Sequence, residues 1–380
     1  MPQNLKQITS LRFFAAMWVV AFHFWPSLTP AVPALVGRGY LGVELFFVLS
    51  GFILSHVYLK SFGEGRFRYP DFLWARLARI YPVHIATLAG LGLMVAAAAM
   101  AGMSVSGNVI VWPSFPGHLL LVQSWGLAPQ GGWNHPSWSI SAEWFAYLTF
   151  PVSAWIAWRL KQRPWVAVGL ALALIAVLYP AFQRLTDLPL TQATIVWGAV
   201  RIVPCFAYGC AIYLLWNSGA LKTRVAAKVA ALSGVAAVTF GALFGAPDPL
   251  MVALFGGLIV GLAAMASTGS RLLTAPVWVY LGEVSFSIYM VVVPWELLFG
   301  RAASKVLHLG GDVLPPVAWL MMTLGVIPAA MVLHHLVERP AREAMRRHGV
   351  PFLRRSRALD RGGLVEPAFQ PIDAAVPKAG

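Results

Sequence analysis

Charge is what this chain has least of. Only 11% of its 380 residues are Asp, Glu, Lys or Arg, against about 25% in a soluble domain. Acidic residues number 14, too few to solvate the surface of a water-soluble fold of this size. Cysteine is scarcer still: Cys205 and Cys210 alone. Five residues apart on one helix, they point about 140° away from each other, which excludes a disulfide within that helix. The chain also lacks a Walker glycine loop, a dinucleotide glycine motif and an H-E-x-x-H zinc motif, so common nucleotide and metal chemistries drop out and no metal site is expected. Internal repeats are missing, as is any stretch that reads as a soluble domain.

What fills the chain instead is apolar sequence, 59% of all residues. Runs of about 20 residues, enough to cross a bilayer, fall near 11–30, 40–59, 80–103, 138–158, 164–183, 195–216, 226–246, 249–267, 276–299 and 314–337. The fold class is therefore all-α, a polytopic membrane protein with about ten transmembrane helices. Its 16 Trp suit the two interfacial belts. The first run is too long for a signal-peptide core and has no small-residue cleavage site, so it reads as a retained helix. An even number of crossings puts both termini on one side. Placing that side in the cytoplasm puts 23 of the 28 Lys and Arg there, as the positive-inside rule demands. The net charge of +14 is then topology, helped by anionic lipid, and does not call for a nucleic-acid partner. Residues 1–347 form one membrane domain. The Arg-, Pro- and Gly-rich segment 348–380 is expected to be a disordered cytoplasmic tail. The longest outer loop is 104–137, and its 117–127 portion is expected to dip back as a short helix.

Ionisable residues inside apolar runs are costly and mark function or a partner. Arg12 and His23 lie eleven residues apart in the first run, about three turns, so they share a helix face about 16 Å apart along the axis. With the run at 11–30, His23 sits near the midplane, where it is either a packed, hydrogen-bonded ring or a general base. Arg76 and Arg79, three apart at the cytoplasmic entrance of the third helix, are either membrane anchors or a phosphate clamp. Trp138-Ser139-Ile140-Ser141-Ala142-Glu143 opens the fourth helix. A carboxylate at the depth of Glu143 orients an imidazole, holds a hydroxyl, or pairs with an arginine such as Arg201. Glu44 opens the second helix ahead of Ser50-Gly51, which suits close helix packing. His334-His335 reads as structural.

Together these residues resemble the acyltransferase 3 family: Arg12 with His23, Gly42-Val-Glu-Leu-Phe-Phe-Val-Leu-Ser-Gly-Phe52, Arg76-x-x-Arg79-Ile-Tyr-Pro82 and Trp138-Ser-x-Ser-x-Glu143. The similarity is densest over 8–150 and continues through Arg201, Leu281–Tyr289 and Glu338-Arg-Pro340. It implies an integral membrane O-acyltransferase of the bacterial inner membrane. His23 would be the catalytic histidine, with Glu143 in the same active region. Arg12, Arg76 and Arg79 would bind the donor, acyl-CoA, acetyl-CoA by family frequency. The acceptor would be a sugar, polysaccharide or glycolipid hydroxyl on the outer side, with Trp138, Ser139, Ser141, Arg201 and Glu44 supporting the site. Two departures stand out. Many relatives carry a His in the ninth helix where this chain has Val292. Many also carry a fused extracytoplasmic esterase-like domain; without one, the product is released directly or the acyl group passes to a separate outer partner. A reading from another class is a carrier or flippase for a lipid-linked sugar, which would show broken helices in symmetric halves; the sequence has no such symmetry.

Overall fold

The computed structural model describes residues 5–102, 109–128, 131–269, 271, 273–306 and 313–349. The expected tail lies outside them from residue 350 onward. In chain order the helices are α1 (Lys6–Phe24), α2 (Ala34–Gly37), α3 (Gly42–Gly63), α4 (Tyr69–Met100), α5 (Phe115–Leu119), α6 (Trp138–Leu148), α7 (Phe150–Leu160), α8 (Pro164–Thr186), α9 (Gly198–Asn217), α10 (Arg224–Leu243), α11 (Asp248–Ser267), α12 (Pro276–Val306), α13 (Pro316–Leu333) and α14 (Arg339–His348). No strand occurs among the described residues. The protein is an all-α polytopic membrane protein, as expected.

Nine described helical segments are long and apolar enough to cross a membrane. The expected fourth span is broken into two pieces. α6 stops at Thr149, and Pro151 opens α7 where its missing N–H costs nothing, so each piece is only 11 residues long. Seven spanning helices begin within a few residues of the expected positions. The third does not. α4 starts at Tyr69 rather than 80, with Pro70 in its first turn, and runs for 32 residues. The basic residues that made 60–79 look like a loop therefore lie largely on helix. The outer loop does fold back, as α5 and a wide turn at Gln123–Leu127 that buries Gln123 and Ser124.

Two apolar cores fill the bundle. The larger joins α3, α4, α6, α8, α9 and α11; the smaller joins α1, α12 and α13 through Ala16, Val20, Phe24, Ile288, Val292 and Val326. Lipid tails are as apolar as leucine, so helices associate through close packing rather than water exclusion. α3 and α9 do so through paired glycines. A Cβ on Gly51 would strike the Phe206 carbonyl, and one on Gly209 would strike the Val48 carbonyl. Gly282 brings α12 equally close to α1 at Thr9. Ser10 of α1 donates to Leu273 O (2.8 Å), and Trp74 of α4 donates to Met345 O of α14 (2.8 Å). These contacts gather the first turns of α1, α4 and α12 with α14 at one end of the bundle, called the basic end below.

Gly209→Ala should push α9 off α3 and destabilise the protein by about 1–3 kcal/mol, the range for overpacking. Thermal unfolding in detergent will show it; an unchanged melting temperature would mean that the crossing tolerates separation.

Candidate active site

α1 begins at Lys6, and the turn Trp25–Ser27 with its Pro26 ends it after Phe24. Those limits change the positions read from the sequence. Arg12 stands two turns inside the bundle. His23 stands in the last turn of α1, at the end opposite the basic end, and not midway along the span. Their spacing of about 16 Å holds, but the two side chains face different surroundings.

Arg12 lines a cavity of about 140 Å3 between α1, α3, α4, α6 and α12. Arg76, Arg79, Ser50, Ser139, Glu143 and Tyr289 line it too, over an apolar wall that includes Phe46, Phe47 and Ile53. Three guanidiniums thus meet one lining carboxylate in a largely apolar chamber. They are not equivalent. Arg79 Nη1 donates to Glu338 Oε1 at 2.8 Å, and Glu338 is almost wholly buried. The other Glu338 oxygen accepts from Ser287 Oγ (2.7 Å) and lies 2.9 Å from His334 Nδ1. That network neutralises Arg79 and ties α4 to α12 and to the wide turn His334–Glu338. His334 is accordingly structural, and His335 pairs with Tyr280 OH at 2.8 Å. Arg76 reaches only Tyr58: Nη2 donates to the hydroxyl at 3.2 Å, the guanidinium lies over the ring, and Nε is buried without a partner. Arg12 has no hydrogen-bond or ion-pair partner among the described residues, although it feels the charges of Arg79, Glu338 and Glu143. Cations held half-buried in an apolar chamber without a carboxylate are expensive, and these two point to an anionic ligand.

Glu143 accepts from Ser50 Oγ at 2.9 Å. Of the partners considered for this carboxylate, the structure supplies a hydroxyl and not Arg201. It also gives Ser50 a polar role beside the close-packing Gly51. Arg201 is fully enclosed, donates to Glu44 Oε1 at 2.5 Å and to Ala193 O at 3.2 Å, and lies over the Trp138 ring. Glu44, Arg201 and Trp138 thus pack as a unit that does not line the cavity. Ser141 also turns away, donating to Leu121 O (2.8 Å) and accepting from Ser124 N (3.1 Å) to hold the returned loop. Ser139 remains in the cavity, where its hydroxyl donates to Tyr289 OH (3.0 Å); Tyr289 donates to Pro136 O (2.9 Å). This hydrogen-bonded latch links the cavity wall to Pro136, which adjoins His135.

Beyond the latch, His23 Nε2 donates to Glu296 Oε2 of α12 at 2.9 Å. His135, adjoining Pro136, lies close enough to feel the His23 charge. His23 does not line the cavity. The returned loop buries His118 against His84 and Ser137. Burial, with His84 and His135 adding to it, pushes the His118 imidazole down to about 4, so it packs as a neutral ring. Val292 lies buried in the smaller core one turn before Glu296. Sequence reading missed Glu296, Tyr58, Tyr289 and the Glu338–Arg79 pair. Glu296 did carry a signal, as a carboxylate inside the ninth apolar run.

Glu44→Leu leaves Arg201 buried without its counter-ion and should cost about 3–5 kcal/mol. The double variant Glu44→Leu/Arg201→Leu should recover most of that loss. Thermal melts of the three proteins check both expectations.

Comparison with known proteins identifies the family. The acyltransferase domain family matches residues 5–335. Acyltransferase MdmB of Streptomyces mycarofaciens is 29% identical over 377 aligned residues, which cover 89% of this chain and 91% of that protein. Protein 2 in the picA locus of Rhizobium radiobacter is 37% identical over 92 residues, covering 23% of this chain and 44% of that protein. No solved structure matches. With the family matched across almost the whole membrane domain, the chain belongs to the acyltransferase 3 family and is an integral membrane acyltransferase.

Proposed function

We propose that the protein transfers an acyl group, acetyl by default, from cytoplasmic acyl-CoA to a hydroxyl of a sugar, polysaccharide or glycolipid on the outer side of a bacterial inner membrane. Both termini and the basic end then face the cytoplasm. The observation that carries the reading is the pair of half-buried cations, Arg12 and Arg76, which line one cavity and have no carboxylate of their own among the described residues. A cavity of about 140 Å3 is smaller than the roughly 300–1,000 Å3 that enclose a drug-sized ligand. It suits the slender acyl-pantetheine arm, with the donor phosphates at the Arg76 end. Arg79, neutralised by Glu338, shapes that end and supports the field of the other two. The thioester advances along α1 toward His23, past the Ser139–Tyr289–Pro136 latch, which must open. There His23 acts as general base on the acceptor hydroxyl. The oxygen attacks the thioester carbonyl, the C–S bond breaks, and the departing thiolate takes the proton from His23. Glu143 and Ser139 offer polar contacts along the route.

Two measurements test this. Membranes from a deletion strain, complemented with each variant, are given radiolabelled acetyl-CoA. His23→Ala should lower label transfer to the surface acceptor by about 10²–10⁴-fold, the usual contribution of a general base; near-normal transfer by a well-folded variant sinks the mechanism. Acetyl-CoA should also stabilise the purified protein, by about 2.7 kcal/mol at 100 times its Kd. Arg12→Ala and Arg76→Ala should abolish that shift. Solute movement that needs no acetyl-CoA would favour a carrier instead.

A further inference from the structure

The geometry points to Glu296 as the positioning residue of His23, and to Nδ1 as the nitrogen that takes the proton from the acceptor hydroxyl; this inference rests on His23 being the base. A carboxylate can only accept, so the 2.9 Å contact with Glu296 Oε2 requires a hydrogen on His23 Nε2. In the neutral ring the lone pair is then on Nδ1. Among the described residues Nδ1 has no hydrogen-bond partner, and His23 is 39% exposed, so that lone pair is open to a substrate.

The charges around the ring leave Glu296 as its counter-ion. From α12 comes Glu296, and from the turn His135–Ser137 comes His135. Arg38, ahead of α3, is turned to Asp248 at 2.7 Å. Glu143 is committed to Ser50, and Glu338 to Arg79. As the acceptor oxygen attacks, its proton moves to Nδ1 and the ring becomes a cation. Glu296, on the opposite nitrogen, stabilises that cation and then sees it neutralised when the proton leaves on the thiolate. No oxidant or further reactant is needed.

Helix geometry explains why this chain uses a carboxylate here. Positions 292 and 296 are four apart on α12, about 40° from alignment on one face. Val292 fills the apolar core against α1, with Val20 and Phe24 in the same cluster. One turn further along, α12 leaves that core and Glu296 meets the last turn of α1. Glu296 thus supplies a polar group one turn beyond the apolar core, at the end where an outer acceptor arrives.

The test compares Glu296→Gln and Glu296→Ala with the unaltered protein in the same membranes, varying acetyl-CoA. Both should lower kcat by about 10–100-fold with the KM for acetyl-CoA unchanged. The loss is smaller than the about 10⁴-fold seen when the carboxylate of a buried catalytic triad is neutralised, because this pair is 39% and 37% exposed. Added formate should restore part of the turnover of Glu296→Ala, since it can occupy the vacated carboxylate position; it should do nothing for His23→Ala. Full activity of both Glu296 variants, beside an inactive His23→Ala, overturns the positioning role and leaves His23 as the base. So does a loss that formate does not relieve and that tracks a lowered melting temperature. An active His23→Ala overturns the reading beneath it.

Discussion

A guanidinium inside a bilayer needs an anion, and that requirement organises this molecule. Four arginines lie within the bundle: Arg12, Arg76, Arg79 and Arg201. Two have their carboxylates in the protein, Arg201 with Glu44 and Arg79 with Glu338. Each pair also fastens helices: Glu44–Arg201 joins α3 to α9, and Glu338–Arg79 joins the turn after α13 to α4. Breaking such a pair leaves a bare charge in a medium that cannot solvate it. The other two arginines lack an acid of their own and share a cavity. The arginines of the bundle thus divide into two that fasten helices through a carboxylate and two that line a cavity without one among the described residues.

The same helices hold the arginine cavity apart from His23. The arginine cavity sits toward the basic end of α1, and His23 sits at the far end of that helix, with Ser139, Tyr289 and Pro136 between them. A latch of neutral hydroxyls costs little to break, since each such hydrogen bond is worth about 0.5–1.5 kcal/mol net. The paired glycines at 51 and 209 hold α3 against α9.

Much of the architecture was legible in the residues. Apolar runs located most of the spanning helices, and the misreadings have local causes. Arg76 and Arg79 made 60–79 look like a loop because their partners, Tyr58 and Glu338, are on other segments; once paired, they sit on a 32-residue helix. His23 looked central because the apolar run continues past Phe24, although Pro26 ends the helix there. Glu143 was correctly seen to need a partner, but one that it has, Ser50, is a serine 93 residues earlier, outside its own motif. His23 and Glu296 are 273 residues apart, and neither lies in a motif that mentions the other.

Composition and periodicity by themselves determined that this chain lives in lipid, is helical throughout and gathers its basic residues on one side. Those are sums over about 20 residues at a time, and neighbours in sequence decide them. Tertiary structure alone decided which arginine is neutralised, which serine holds Glu143 and which acid meets His23. Electrostatic energy falls with distance in space, not along the chain. Only the packed bundle says which charges are near enough to satisfy one another, and therefore which two lack an acid partner among the described residues.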